Sequence, residues 1–164
     1  MMEVITIANQ KGGVGKITTA VNLSAALALK GKKVLLIDAD PQANATTSLG
    51  FHRDKYEFNI YHVLIGTKEL NDIILDTEIE TLKLAPSNIG LVGIEKEFYK
   101  NAKDRELILK RKLDPLKDLY DYVIIDSPPA LGPITINTLS AANSVLIPIQ
   151  CEFFALEGLA QLLN

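Results

Sequence analysis

The sequence predicts an α/β fold in which a mainly parallel sheet is flanked by helices. Three observations lead there. Strand-like and helix-like stretches alternate along all 164 residues. The strands at 34–37 (Val, Leu, Leu, Ile) and 123–125 (Val, Ile, Ile) are apolar without alternation, which suits a parallel sheet covered on both faces. A Gly-rich turn at 9–19 joins the first strand to the first helix.

The elements follow in order. Val4, Ile5, Thr6, Ile7 and Ala8 make an apolar, β-rich run, so a strand is expected near 3–9. Ala20, Leu23 and Leu27 recur on one face of a helix near 15–30, and Gly31 stands where a left-handed helix stop belongs. A second strand near 33–38 runs into Asp38-Ala39-Asp40-Pro41. A helix near 58–65, a strand near 81–85 and helices near 88–100 and 104–118 come next. A strand near 121–126 ends at Asp126, before Ser127-Pro128-Pro129. A helix near 133–142, a strand near 144–149 and a helix from 154 onward complete the pattern, with no internal repeat and no low-complexity segment.

Composition is that of one globular domain over residues 1–164, with 48% hydrophobic and 23% charged residues. No apolar run approaches the roughly 18 residues of a membrane span, and the N-terminus lacks a signal-peptide shape. Cys151 is the only cysteine, so an internal disulfide and a Cys-based metal cluster are excluded, and it reads as a small buried hydrophobe. The cytosol is the expected compartment. A net charge of −3 gives no global argument for nucleic acid. The bases Lys100, Lys103, Arg105, Lys110, Arg111, Lys112 and Lys117 are interleaved with Asp104, Glu106, Asp114 and Asp118, the pattern of a solvated helix. Tyr56, Phe58 and Tyr61 are expected to pack beneath the loop after the second strand, and His52 and His62 have no metal-ligand company.

The turn Asn9-Gln10-Lys11-Gly12-Gly13-Val14-Gly15-Lys16-Ile17-Thr18-Thr19 carries the chemistry. A strand, a Gly-rich turn and a helix N-terminus bring backbone N–H groups and the positive end of a helix dipole to one point, a site for phosphate. Gly12, Gly13 and Gly15 let the backbone wrap an anion, and Lys16 would reach the β- and γ-phosphates. The next position ordinarily carries a Ser or Thr hydroxyl for Mg²⁺, but here it is Ile17. Thr18 lies about 100° further round the helix and is a poor substitute. Gln10 replaces the first glycine of the usual pattern, and a second lysine, Lys11, follows it.

Ligands of α/β sheets bind beyond the carboxyl ends of the strands. Asp126 closes such a strand, where an aspartate holds a water of the Mg²⁺ shell or simply forms a turn before prolines. Asp38 and Asp40 are two residues apart, so an extended chain would aim both carboxylates to one side. An Asx-turn or a helix cap is the alternative for each.

The segment from Asn9 to Lys16 resembles the deviant phosphate loop of the ParA-type (ParA/Soj) partition ATPases, which have MinD-type and nitrogenase iron-protein relatives. Three further segments match that family: VLLIDADPQANAT at 34–46, DYVIIDSPPALGPITINTL at 121–139 and IPIQCEFFALEGLAQLL at 147–163. The likeness runs over nearly the whole chain and is weakest from 51 to 118. It implies a P-loop NTPase fold with ATP or ADP and Mg²⁺ as cofactors. Gly12, Gly13, Val14, Gly15, Lys16, Ile17 and Thr18 would be the nucleotide-binding positions, and Asp38 and Asp126 would support the metal. Lys11, Lys16 and Asp40 would be the catalytic residues, with Lys11 crossing to a partner's nucleotide and Asp40 orienting the attacking water. The stretch 126–132 would sense the γ-phosphate through the Gly132 N–H.

By the same resemblance, ATP joins two copies into a homodimer and hydrolysis releases them. The full-length parent binds DNA non-specifically, answers to a ParB-type partner, stays off membranes and works in the cytoplasm on the nucleoid, in plasmid or chromosome partitioning. This chain departs from the pattern twice. Ile17 stands where relatives have Thr, so nucleotide binding through backbone amides is expected with Mg²⁺ placement and hydrolysis impaired. The sequence also stops at Asn164 amid the helical pattern of Leu159, Ala160, Leu162 and Leu163, which reads as a truncated domain with an open apolar sheet edge.

Three other functions share the loop. A MinD-type membrane-cycling ATPase would carry a basic amphipathic C-terminal helix, and Pro41-Gln42 and Gln150-Cys151-Glu152 favour the ParA type. A nucleotide-binding module that no longer hydrolyses is what Ile17 would support. An ATP-dependent ligase would show residues for a small acid or amine near the loop. An iron-protein reductase is excluded for want of cysteines.

Overall fold

The computed structural model describes residues 1–8, 16–94, 105–129, 131–148 and 160–164, with 16–18 as backbone only. The strands are β1 (Glu3–Ile7), β2 (Val34–Asp38), a two-residue β3 (Leu75–Asp76), β4 (Leu82–Ala85), β5 (Tyr122–Asp126) and β6 (Ser144–Leu146); apolar β-branched residues favour β1, β2 and β5, whereas β4 alternates Leu82 and Leu84 with Lys83. They make one six-stranded sheet in the order β3-β4-β2-β5-β1-β6. Every pairing is parallel except that of β3 with β4.

The unbroken apolar runs have the two-sided burial that their composition predicts. In β2, Val34 and Leu36 join one core cluster and Leu35 and Ile37 join the other, and in β5 Ile124 is parted from Val123 and Ile125 in the same way. On the first face lies helix α1 (Lys16–Leu29), whose small Ala20 and Ala28 let it sit close against Leu36, Leu82 and Ile124. The other face is covered by α3 (Ile60–Leu64), α5 (Ile108–Leu113) and α6 (Pro133–Ala141). Cutting a wholly buried Leu35 or Ile37 back to Ala would cost about 2–5 kcal/mol.

Asn137 fastens two of these helices. Its Nδ2 donates to the carbonyls of Arg105 (2.9 Å) and Pro133 (3.1 Å), and its Oδ1 accepts from the Leu109 N–H at 3.1 Å. Gly31 has φ +87°, as the helix stop requires.

Several elements differ from the sequence expectation. The stretch near 104–118 is not one helix but a 3-10 turn (Arg105–Leu107), α5 and a second 3-10 turn (Asp114–Leu116). Pro115 accounts for the break, since it donates no N–H and its ring collides with the preceding turn. The helix expected at 88–100 begins as a 3-10 turn, Ile89–Gly93, started by Asn88 accepting from the Gly90 N–H, and 95–104 lie outside the described residues. Helices α2 (Asn44–Ser48) and α4 (Leu70–Ile73) and strand β3 are too short to show a period. Of the last predicted helix only 160–164 are described, helical to 163, and Cys151 lies outside. The open apolar edge is present among the described residues: in β6, an edge strand, Val145 is 47% and Leu146 39% exposed.

Candidate functional site

The parallel order of the central strands sets the site. Ile7 of β1 is in register with Asp126 of β5, and Asp126 with Asp38 of β2, so three strands end side by side. The Gly-rich turn leaves β1 at this same end of the sheet, and α1 begins at Lys16 with no acidic residue in its first turn. With no acidic side chain in that first turn, the positive end of the dipole of this 14-residue helix favours an anion. Lys11, Gly12, Gly13, Val14 and Gly15 lie outside the described residues, as do the side chains of Lys16, Ile17 and Thr18.

Asp38 and Asp126 are both fully buried. The Asp38 Oδ1 accepts the Asp40 N–H at 3.1 Å, and its Oδ2 accepts both the backbone N–H (2.9 Å) and the hydroxyl (2.7 Å) of Thr46. Burial, and after it the charge of Asp126, push the Asp38 carboxyl up to about 7 despite those hydrogen bonds. Two carboxylates set side by side out of water are an arrangement for a cation. Among the described residues no group of three or more His, Cys, Asp or Glu could hold a metal ion. The pair formed by Asp38 and Asp126 fits Mg²⁺, which keeps several waters and takes its other ligands from phosphates.

Asp40 is not placed by strand alternation, because β2 ends at Asp38 and the chain turns. The Asp40 carboxylate accepts the Gln42 N–H at 3.0 Å and its carbonyl accepts the Ala43 N–H at 2.9 Å, an Asx-turn like the alternative the sequence left open. Ala43 completes the turn at φ 56° and ψ 34°, a left-handed conformation unusual for a residue with a Cβ.

The exit of β5 is tied down by hydroxyls. Ser127 Oγ lies 2.6 Å from Thr6 Oγ1 and 2.7 Å from Thr138 Oγ1, and Thr138 donates to the Thr135 carbonyl at 2.9 Å. All of these side chains are buried, so the start of the 127–132 stretch is fixed to β1 and α6. Gly132 precedes α6 in an extended conformation and helps line a cleft of about 410 Å³.

Sequence reasoning missed Thr46 and Ser87, and it gave Tyr56 only a packing role beneath the loop after the second strand. The Thr46 hydroxyl also accepts the Ser87 N–H at 3.1 Å, Ser87 Oγ donates to the Asp40 carbonyl at 2.6 Å, and the Tyr56 hydroxyl donates to the Ser87 carbonyl at 2.6 Å. Tyr56 stands in the wall of a cleft of about 580 Å³ shared with Pro41, Gln42, Phe51 and Asn88. Burial and the charge of Asp38 raise its phenol above the ordinary value. The polar Thr6 inside an apolar strand was a readable signal for the hydroxyl chain; Thr46 sits in a helix too short to give one.

Other expectations have structural outcomes. Phe58 and Tyr61 pack on the core, and His62 Nδ1 accepts the Asn59 N–H at 3.1 Å in a capping box. Lys110 and Arg111 are exposed while Lys112 pairs with Glu69 at 2.7 Å, as on a solvated helix. No described helix is long and apolar enough to cross a membrane.

Comparison with known proteins agrees with this geometry. The model of an AAA domain family matches residues 2–164. The sporulation initiation inhibitor protein Soj of Bacillus subtilis is 52% identical over 164 residues, covering 100% of this chain and 64% of Soj. The chromosome partitioning protein ParA of Myxococcus xanthus is 48% identical over 159 residues, which are 97% of this chain and 56% of that protein. The chain thus spans less than two thirds of the length of these curated relatives. Among solved structures, the cobyrinic acid a,c-diamide synthase from Mycobacterium smegmatis with bound ADP and magnesium superposes with a TM-score of 0.93 at 45% identity, over 99% of this chain and 66% of that one.

Proposed function

We propose, from the premise that this chain belongs to the ParA-type AAA domain family, that it is the nucleotide-binding part of a switch ATPase for partitioning plasmids or chromosomes. The observation that supports this best is the meeting of Asp38 and Asp126, in register and buried, at the sheet end from which β1 feeds the Gly-rich turn and α1. In this reading the amides of Gly12, Gly13, Val14 and Gly15 and the start of α1 cradle the phosphates of ATP or ADP. Lys16 neutralises them, and Asp38 and Asp126 hold waters around Mg²⁺. When bound, the metal would balance phosphate charge, and positioning would do most of the rest. Asp40 orients the attacking water from its turn, and Lys11 reaches the nucleotide of a second copy. The longer parent protein would form an ATP-dependent homodimer on non-specific DNA at the nucleoid and respond to a ParB-type partner.

Ile17 sets the test. It offers no hydroxyl to Mg²⁺, so ATP is expected to bind this chain with little help from the metal. Calorimetry with and without Mg²⁺, on this chain and on Ile17→Thr, measures it directly. Ile17→Thr should restore a Mg²⁺-dependent gain in affinity that the present chain lacks. Failure of both to bind ATP would overturn the assignment.

The likeness to a structure named as a diamide synthase favours a second reading, an ATP-dependent ligase. A ligase would consume ATP only with an acid and an amine acceptor present. The partition reading expects turnover by Ile17→Thr without any acceptor.

A further inference from the structure

We propose that Thr46 is a positioning residue for the metal–nucleotide site, acting through Asp38 as one member of a brace that Ser87 and Tyr56 complete. The inference rests on the function proposed above. Hydroxyl accounting fixes its direction. Thr46 Oγ1 has one proton, and the Ser87 N–H, which can only donate, approaches it at 3.1 Å. The Thr46 proton therefore goes to Asp38 Oδ2, 2.7 Å away, beside the Thr46 backbone N–H at 2.9 Å. With the Asp40 N–H on Oδ1, both oxygens of Asp38 are oriented by donors.

The same brace reaches the backbone of the next acidic residue, Asp40. Ser87 Oγ donates to the Asp40 carbonyl at 2.6 Å, and the Tyr56 hydroxyl reaches the Ser87 carbonyl at 2.6 Å. Four pieces of chain (the exit of β2, α2, the exit of β4 and the loop carrying Tyr56) are thereby joined around two acidic residues. Thr46 and Ser87 are fully buried, so solvent cannot replace these bonds. Removing such an outer partner of a metal-binding group costs roughly 10- to 100-fold in metal affinity.

The test is ATP affinity with and without Mg²⁺ on the full chain carrying Ile17→Thr, compared with the same chain bearing Thr46→Val, Thr46→Ser or Tyr56→Phe. Thr46→Val should lose roughly 10- to 100-fold of the Mg²⁺-dependent gain while Mg²⁺-free affinity is unchanged. Thr46→Ser should keep the gain, and Tyr56→Phe, altered only at a partly exposed hydroxyl, should lose a smaller share of it. A gain retained in Thr46→Val, an equal loss without Mg²⁺, or no rescue by Thr46→Ser would each overturn the proposal. If Thr46→Val does not fold, Tyr56→Phe decides, and an unaltered gain there refutes the brace. If the Ile17→Thr chain binds ATP but no better with Mg²⁺, the metal-site reading fails and the brace with it. A defect confined to the Thr46 variants leaves the ATPase reading standing.

Discussion

Asp38 has a folded value of about 7 against 3.8 for an ordinary carboxyl. Between those values the folded chain holds a proton that the unfolded chain releases, so this group's contribution to stability is intact at low pH and is lost as pH rises towards 7. In metal-free buffer, Asp38→Asn should therefore gain thermal stability relative to the parent as pH is raised from about 5 to about 8. A difference in melting temperature that stays constant over that range would contradict the assignment. Ala43 gives a second test. Its left-handed backbone suits glycine, so Ala43→Gly should stabilise the chain by about 0.5–1 kcal/mol in urea unfolding, after the extra unfolded-state entropy of glycine is deducted. Asp38 and Asp126 were legible in the sequence because each ends an apolar strand. Thr46, Ser87 and Tyr56 were not, because their partners are set by the neighbouring exits of β2 and β4 rather than by local pattern.

Among the elements, legibility followed length and burial. The strands of the sheet centre announced themselves by unbroken apolar runs, and α1 by its face of Ala20, Leu23 and Leu27. The stretch 104–118 misled because Leu109, Leu113 and Leu116 keep a helical spacing across Pro115, and periodicity does not register a missing N–H. Asn137 belongs to this scale, since one amide serves three backbone groups around α5 and α6. Asn137→Ala would leave the Leu109 N–H and the Arg105 carbonyl without that partner, at a cost of about 2–4 kcal/mol. Denaturant unfolding measures it, and a loss under about 0.5 kcal/mol, the range of ordinary surface changes, would mean the amide is not the fastener described.

For the whole molecule, the α/β class and the parallel sheet could be read directly, whereas the place of each strand could not, since sequence order says little about who neighbours whom. The edge strand β6, with Val145 and Leu146 partly bare, is a surface for unwanted pairing. Val145→Lys should suppress concentration-dependent light scattering while leaving unfolding stability within about 0.5 kcal/mol. Unchanged scattering would place the sticky surface elsewhere.

The strand order also has a consequence for how the chain is made. β1 is translated early, yet both of its neighbours come late: Glu3 registers with Tyr122, and Ile5 with Ser144. At about 5–20 residues per second, the ribosome needs on the order of ten seconds to deliver them. Throughout that interval Val4, Ile5 and Ile7 have no neighbouring strand to pair with. A nascent chain halted before residue 122 should leave β1 open to protease, and the sheet end shared by Asp38 and Asp126 forms only once β5 has been made.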